Sequence, residues 1–257
     1  MMARDRGELR VVPDAPSLFH AAAAEFASAA AASIETKGSF SVALSGGSTP
    51  RGMFALLAGD GFRGQVRWDR VFFFWGDERH VPPDHADSNF RMAREALLSH
   101  LTLRDDQVFR IHGENPDAAA AAYEYEGTVR QYFGWADGQF PRFDLVLLGM
   151  GPDGHTASLF PGTKALLDQT RVVIANWVGK FNTHRITLTA PAINTAARVL
   201  FLISGEDKAP ALKAVVEGPL EPSQLPAQLI QPRNGSLHWL CDRAAAQLLE
   251  PKREAKK

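Results

Sequence analysis

Four short runs of almost unbroken apolar residues, each followed by a turn, restrict this chain more than any other feature. They are SFSVAL at 39–44, VFFFW at 71–75, FDLVLL at 143–148 and VLFLI at 199–203. A strand with one wet face alternates apolar and polar residues. A strand apolar at nearly every position is covered on both faces, as parallel strands are. Helical patterns lie between the runs, at 17–35, 50–57, 87–100, 117–133, 208–216 and 242–248. Two weaker strand candidates, 172–175 and 185–189, read as edge strands. This alternation predicts an α/β fold: a single domain over 1–257, with an open, mainly parallel, doubly wound sheet and helices on both faces.

Composition narrows the function classes. The chain is 45% hydrophobic and 22% charged, enough apolar material for a sizeable core. Its formal net charge of -1 offers no global field for nucleic acid or an anionic membrane, so an anionic ligand must be held by local groups. Residues 1–12 lack the apolar core of a signal peptide, and no apolar run approaches the ~20 residues of a membrane span. The tail at 252–257 is charged and expected to fray. The one cysteine, Cys241, cannot form an internal disulfide and reads as a small buried hydrophobe. The expected compartment is the cytoplasm.

In a doubly wound sheet, ligands bind beyond the carboxyl ends of the strands, where the strand order reverses. The turn after each run is therefore where chemistry should lie. After 39–44 comes Ser45-Gly46-Gly47-Ser48-Thr49-Pro50. Its glycines admit a close ligand, Ser48 or Thr49 can cap the next helix, and Pro50 suits its first turn. That builds an anion pocket at a helix N-terminus; the same string also serves as a tight turn with no ligand. It is not a Walker A loop. After 71–75 comes Gly76-Asp77-Glu78-Arg79-His80, either a solvated loop or a site where Asp77 orients a hydroxyl and Arg79 steadies negative charge.

After 143–148 comes Gly149-Met150-Gly151-Pro152-Asp153-Gly154-His155. The string contains G-x-G-x-x-G. The dinucleotide reading fails, because Pro152 lies in the turn, Pro161 cuts short a following helix, and Ile174 stands where an acid should hold a ribose. What remains is Asp-Gly-His at a strand end, with Asp153 able to fix the tautomer of His155 and raise its basicity. Arg185 and Lys208, each an ordinary surface charge alone, could clamp a phosphate together with the Gly46-Gly47-Ser48 loop. There is no G-x-S-x-G elbow and no H-E-x-x-H, and the histidines are scattered, so neither a serine triad nor a metal site is expected. These features converge on a phosphorylated substrate and acid–base chemistry, and from the residues alone they stop there.

Six segments carry a resemblance: SGGSTPRGMFALLA at 45–58, WGDERHVPPDHADSNFRMAREALL at 75–98, FDLVLLGMGPDGHTASLFPGT at 143–163, RITLTAPAIN at 185–194, FLISGEDKAPALKAVVEG at 201–218 and LPAQLIQP at 225–232. In this order the chain resembles the 6-phosphogluconolactonases, which share their fold with the glucosamine-6-phosphate deaminases. The resemblance implies lactone hydrolysis in the pentose phosphate pathway, no cofactor, and a phosphorylated sugar lactone as partner. It implies His155 as catalytic base with Asp153 supporting it. It assigns phosphate to Gly46, Gly47, Ser48, Arg185 and Lys208, and the sugar acid or other anions to Asp77 and Arg79. The alternative is a deaminase-like sugar-phosphate isomerase. Deaminases carry a glutamate five residues after the corresponding histidine, where this chain has Phe160, which cannot relay a proton.

Overall fold

The computed structural model describes residues 6–136 and 138–250; the tail at 252–257 lies outside them. In chain order the strands are β1 (Glu8–Val12), β2 (Phe40–Leu44), β3 (Val71–Trp75), β4 (Asp77–Arg79), β5 (Leu145–Leu148), β6 (Val173–Val178), β7 (Thr183–Leu188), β8 (Arg198–Ile203) and β9 (Ser236–Asp242). The helices are α1 (Ala15–Lys37), α2 (Ser48–Ala58), α3 (Asp60–Arg63), α4 (Asn89–Ala96), α5 (Ala118–Phe133), α6 (Ala190–Ile193), α7 (Ala209–Val216) and α8 (Arg243–Ala246).

Six strands form a parallel sheet in the order β1-β9-β8-β5-β2-β3. Three of the four apolar runs, β2, β5 and β8, lie inside it and the fourth, β3, forms one edge; every residue of β2 and β5 is buried. Connections run from β2 outward to β3 in one direction and from β5 to β8 in the other, so the order reverses between β2 and β5. Right-handed crossovers therefore place α1 and α2 on one face and α5 and α7 on the other. α1 packs on α2, and α7 on α8. Asp14, Ser88 and Asp117 cap α1, α4 and α5 with their side chains. No described helix is long and apolar enough to cross a membrane.

The sequence reading departs from the structure in four places. The two weak strands are not edges of the main sheet. They are β6 and β7, which form a separate antiparallel sheet of order β4-β7-β6. The Asp77–Arg79 segment is the third strand of that sheet rather than a loop. β1 and β9, unread in the sequence, close one side of the main sheet. The last expected helix begins later, since Asp242 ends β9 and caps α8. Gly76 joins the two sheets: its N–H donates to Leu44 of β2, and its carbonyl accepts from Leu188 of β7.

Candidate active site

The reversal point between β2 and β5 opens into a cavity of ≈ 270 Å³. One wall is the turn from β2 into α2. Gly47 adopts φ 107°, a conformation open to glycine, and is itself the N-cap, so Ser48 and Thr49 lie in the first helical turn rather than capping it. α2 has no side-chain cap, which leaves its first N–H groups directed at the cavity. Gly46 is required for a different reason. A Cβ there would lie 1.8 Å from Asn89 Oδ1.

A second wall is the β4–β7 ribbon. Asp77 is buried and accepts a 2.7 Å hydrogen bond from Ser158 Oγ. The next residue, Glu78, faces away and accepts from the backbone N–H groups of Arg79, Asn89 and Phe90 and from the Ser88 hydroxyl. It anchors the start of α4, and burial pushes its carboxyl up, only partly offset by those N–H donors. Asn89 follows from this anchoring: its Nδ2 donates to the Asp77 carbonyl at 2.9 Å, and its amide packs on Gly46. Asn89 Oδ1 and Ser45 Oγ are buried in the wall without a partner among the described residues. Orphaned polar atoms of this kind are rare in finished cores.

The third wall is the turn after β5. Gly151 N–H donates to the His155 carbonyl, Gly154 N–H to the Gly151 carbonyl, and Thr156 Oγ1 to Gly149. No α-helix opens after this turn, as the rejection of the dinucleotide reading requires. His155 lines the cavity, and its Nδ1 bonds Asp153 Oδ1 behind it. Asp153 Oδ2 accepts from Lys180 Nζ at 3.1 Å. Burial alone would raise the Asp153 carboxyl, but the bonds from His155 and Lys180 outweigh it and hold the group at about 2. The imidazole stacks on Phe160, centroids 4.0 Å apart and planes at 23°. Lys208, at the start of α7, completes the lining and pairs with Asp207 at 2.8 Å.

Gly46, Gly47, Ser48, Asp77, Arg79, His155 and Lys208 thus share one cavity. Asp153 and Arg185 do not line it. Asp153 stands behind the imidazole, and Arg185 lies directly across the β4–β7 ladder from Arg79. Directly opposed residues share a face, so two guanidinium groups are set side by side. Arg79 bonds the Asp87 carbonyl, and neither arginine has a carboxylate partner within ion-pair distance among the described residues. Burial and then Arg79 push the Arg185 guanidinium down. Lys180, Ser158, Asn89 and the stacking role of Phe160 escaped the sequence reading. A larger hollow, ≈ 660 Å³, lies beyond β3 against α4 and α5, lined by Leu101, Val108 and Phe109. It exceeds the crevice in size, but the α-helices beside it, α4 and α5, both carry side-chain caps.

Residues 13–239 match the family model described as glucosamine-6-phosphate isomerases/6-phosphogluconolactonase. The chain is 42% identical over 212 residues to a 6-phosphogluconolactonase of Nostoc sp., covering 82% of this chain and 85% of that one. A 6-phosphogluconolactonase of Synechocystis sp. is 41% identical over 218 residues, covering 85% and 88%. Among solved structures, 6-phosphogluconolactonase from Trypanosoma cruzi superposes with a TM-score of 0.84 at 29% identity, over 97% of this chain and 99% of that one.

Proposed function

The chain belongs to the glucosamine-6-phosphate isomerase/6-phosphogluconolactonase family, and from that premise we propose that it hydrolyses 6-phospho-D-glucono-1,5-lactone to 6-phospho-D-gluconate, with His155 as general base. It is a lactone hydrolase of carbohydrate metabolism, acting in the pentose phosphate pathway; we place it in the cytoplasm. The observation that carries the base assignment is the His155–Asp153 pair standing in the wall of a crevice that also holds an uncapped helix start, Arg79 and Lys208.

The tautomer follows from the pair. An ionised Asp153 can only accept, so Nδ1 carries the proton and Nε2 presents a lone pair. In the proposed reaction Nε2 takes a proton from water as its oxygen bonds to C1. The carbonyl electrons move onto oxygen, and the tetrahedral oxyanion is stabilised by backbone N–H groups of a glycine loop or by a cationic side chain. The oxyanion then collapses, the bond from C1 to the ring oxygen breaks, and Nε2–H returns its proton to that oxygen. Water is the only co-reactant. The phosphoryl group binds at the start of α2 with Ser48, Lys208 and Arg185, and Asp77 and Arg79 contact the sugar acid. Phosphate binding far from C1 orients the carbonyl, so a lactone without phosphate loses kcat as well as affinity.

The deaminase reading needs an acid where Phe160 stands, and Phe160 is stacked against the base. The test is acid release from freshly prepared 6-phosphoglucono-δ-lactone, measured against the spontaneous rate. His155→Gln should lower kcat by ~10²-fold or more with the fold retained. Near-wild-type turnover in a folded His155→Gln protein removes the base assignment, and ammonia release from glucosamine 6-phosphate would favour the deaminase.

A further inference from the structure

Gly179–Phe181 form the tip of the hairpin between β6 and β7, closed by Asn182 at φ 49°. This tip reaches the neighbours of His155 twice. Lys180 Nζ takes Asp153 Oδ2, the carboxylate oxygen that His155 leaves free. Phe181 meets Phe160 edge-on, centroids 5.7 Å apart, on the ring that backs the imidazole. The imidazole is therefore held at its edge by Asp153 and on its face by Phe160, and adjacent residues of one turn hold both holders.

We propose that the hairpin tip is a positioning element for the reaction: Lys180, acting through Asp153, and Phe181, acting through Phe160, orient the His155 ring and keep it ready to accept a proton. The proposal rests on the reading of His155 as the base. A carboxylate alone beside an imidazole favours the imidazolium, which is no base. A cation on the other carboxylate oxygen offsets that preference. The charged groups that share the cavity with the ring are Asp77 and Arg79 from β4 and Lys208 from the start of α7, and those bonded to it or its partner are Asp153 from its own turn and Lys180 from the tip. Of these cations only Lys180 bonds the His155–Asp153 pair. Its side chain is 57% exposed, so as a surface ion pair it adds little to stability. That separates a catalytic role from a structural one.

The experiment compares the full chain with Lys180→Met and Lys180→Arg. It reads kcat/KM against pH with fresh lactone, and follows the His155 ring by NMR on histidine-labelled protein. Lys180→Met should move the acid limb of kcat/KM, and the ring titration with it, upward by roughly 0.5–1 unit. Lys180→Arg should return both, at unchanged melting temperature. For the second tether, Phe181→Ala should lower kcat roughly 3–10-fold and Phe181→Tyr restore it. A ring titration unmoved in Lys180→Met overturns the proposal. A ring titration that moves while the kcat/KM limb stays fixed upholds the hold on the ring and instead removes His155 as the base.

Discussion

Replacing Arg185 with Met should make the free protein slightly more stable and its substrate binding much weaker. Arg185 and Arg79 face each other across β4 and β7, with no carboxylate within ion-pair distance among the described residues; burial and Arg79 outweigh the more distant Asp77, Asp87 and Glu78. Like charges directly opposed on a ladder cost ~0.2–1 kcal/mol. Met keeps the length of the stem and a sulfur contact to Phe181, over whose ring the guanidinium now lies at 5.4 Å, so little packing is lost. The unfolding entropy of 257 residues is roughly 0.5 kcal/mol per kelvin, so the melting temperature should rise by ~0.5–2 °C. A charge-assisted bond to a phosphoryl group contributes ~1.5–3 kcal/mol, so the loss should appear mainly as a ~10–150-fold rise in KM for the phosphorylated lactone, with a smaller fall in kcat because the remaining phosphate contacts still orient the carbonyl. Differential scanning calorimetry with and without 6-phosphogluconate, beside initial-rate kinetics, reads both effects. A lower melting temperature without ligand would show that favourable contacts hold the guanidinium in the free protein. An unchanged KM would place the phosphoryl group elsewhere.

Two further perturbations act on the walls. Gly46→Ala puts a methyl group 1.8 Å from Asn89 Oδ1, so the Asn89 amide must move and its Nδ2 give up the bond to the Asp77 carbonyl. Denaturant unfolding should show a loss of ~2–4 kcal/mol with activity abolished, and a wild-type midpoint would contradict the close approach. Asp153 is held at about 2, below its ordinary 3.8. The stability its ionised form contributes is full above ~pH 4 and fades as pH falls through about 2. The stability gap between wild type and Asp153→Asn should therefore shrink on acidification from pH 4 to pH 2, and a constant gap would refute the linkage.

How much was readable depends on where each signal is stored. Strands covered on both faces are apolar throughout, so 39–44, 143–148 and 199–203, and also 71–75, which ends the sheet but is nearly all buried, declare themselves as linear runs. β1, ELRVV, lies at the sheet edge and is largely exposed, and β9, SLHWLCD, starts with half-exposed residues, so neither makes such a run. The separate sheet was hidden for another reason: 172–175 and 185–189 were visible as strands, but pairing partners are a property of the folded chain. At the site, side chains inside the strand-end turns were legible, because glycine, proline and titratable residues cluster there. Lys180 was not, since it lies 27 residues beyond Asp153 in the chain. Phe160 was noticed for the glutamate it replaces, while its stacking on His155 needed coordinates. Cys241 is buried as expected, and burial pushes its thiol up to about 12.

The position of β1 bears on how the molecule is made. Among the described strands, β1 pairs only with β9, which follows it by more than two hundred residues, and β9 also flanks β8, whose end leads to Lys208. A nascent chain that has not reached Ser236 leaves β1 without its neighbour and one side of β8 bare. The β1 side of the sheet therefore cannot close until β9 has been made. Products that stop before β9 would leave β1 and β8 with open edges able to pair with other chains.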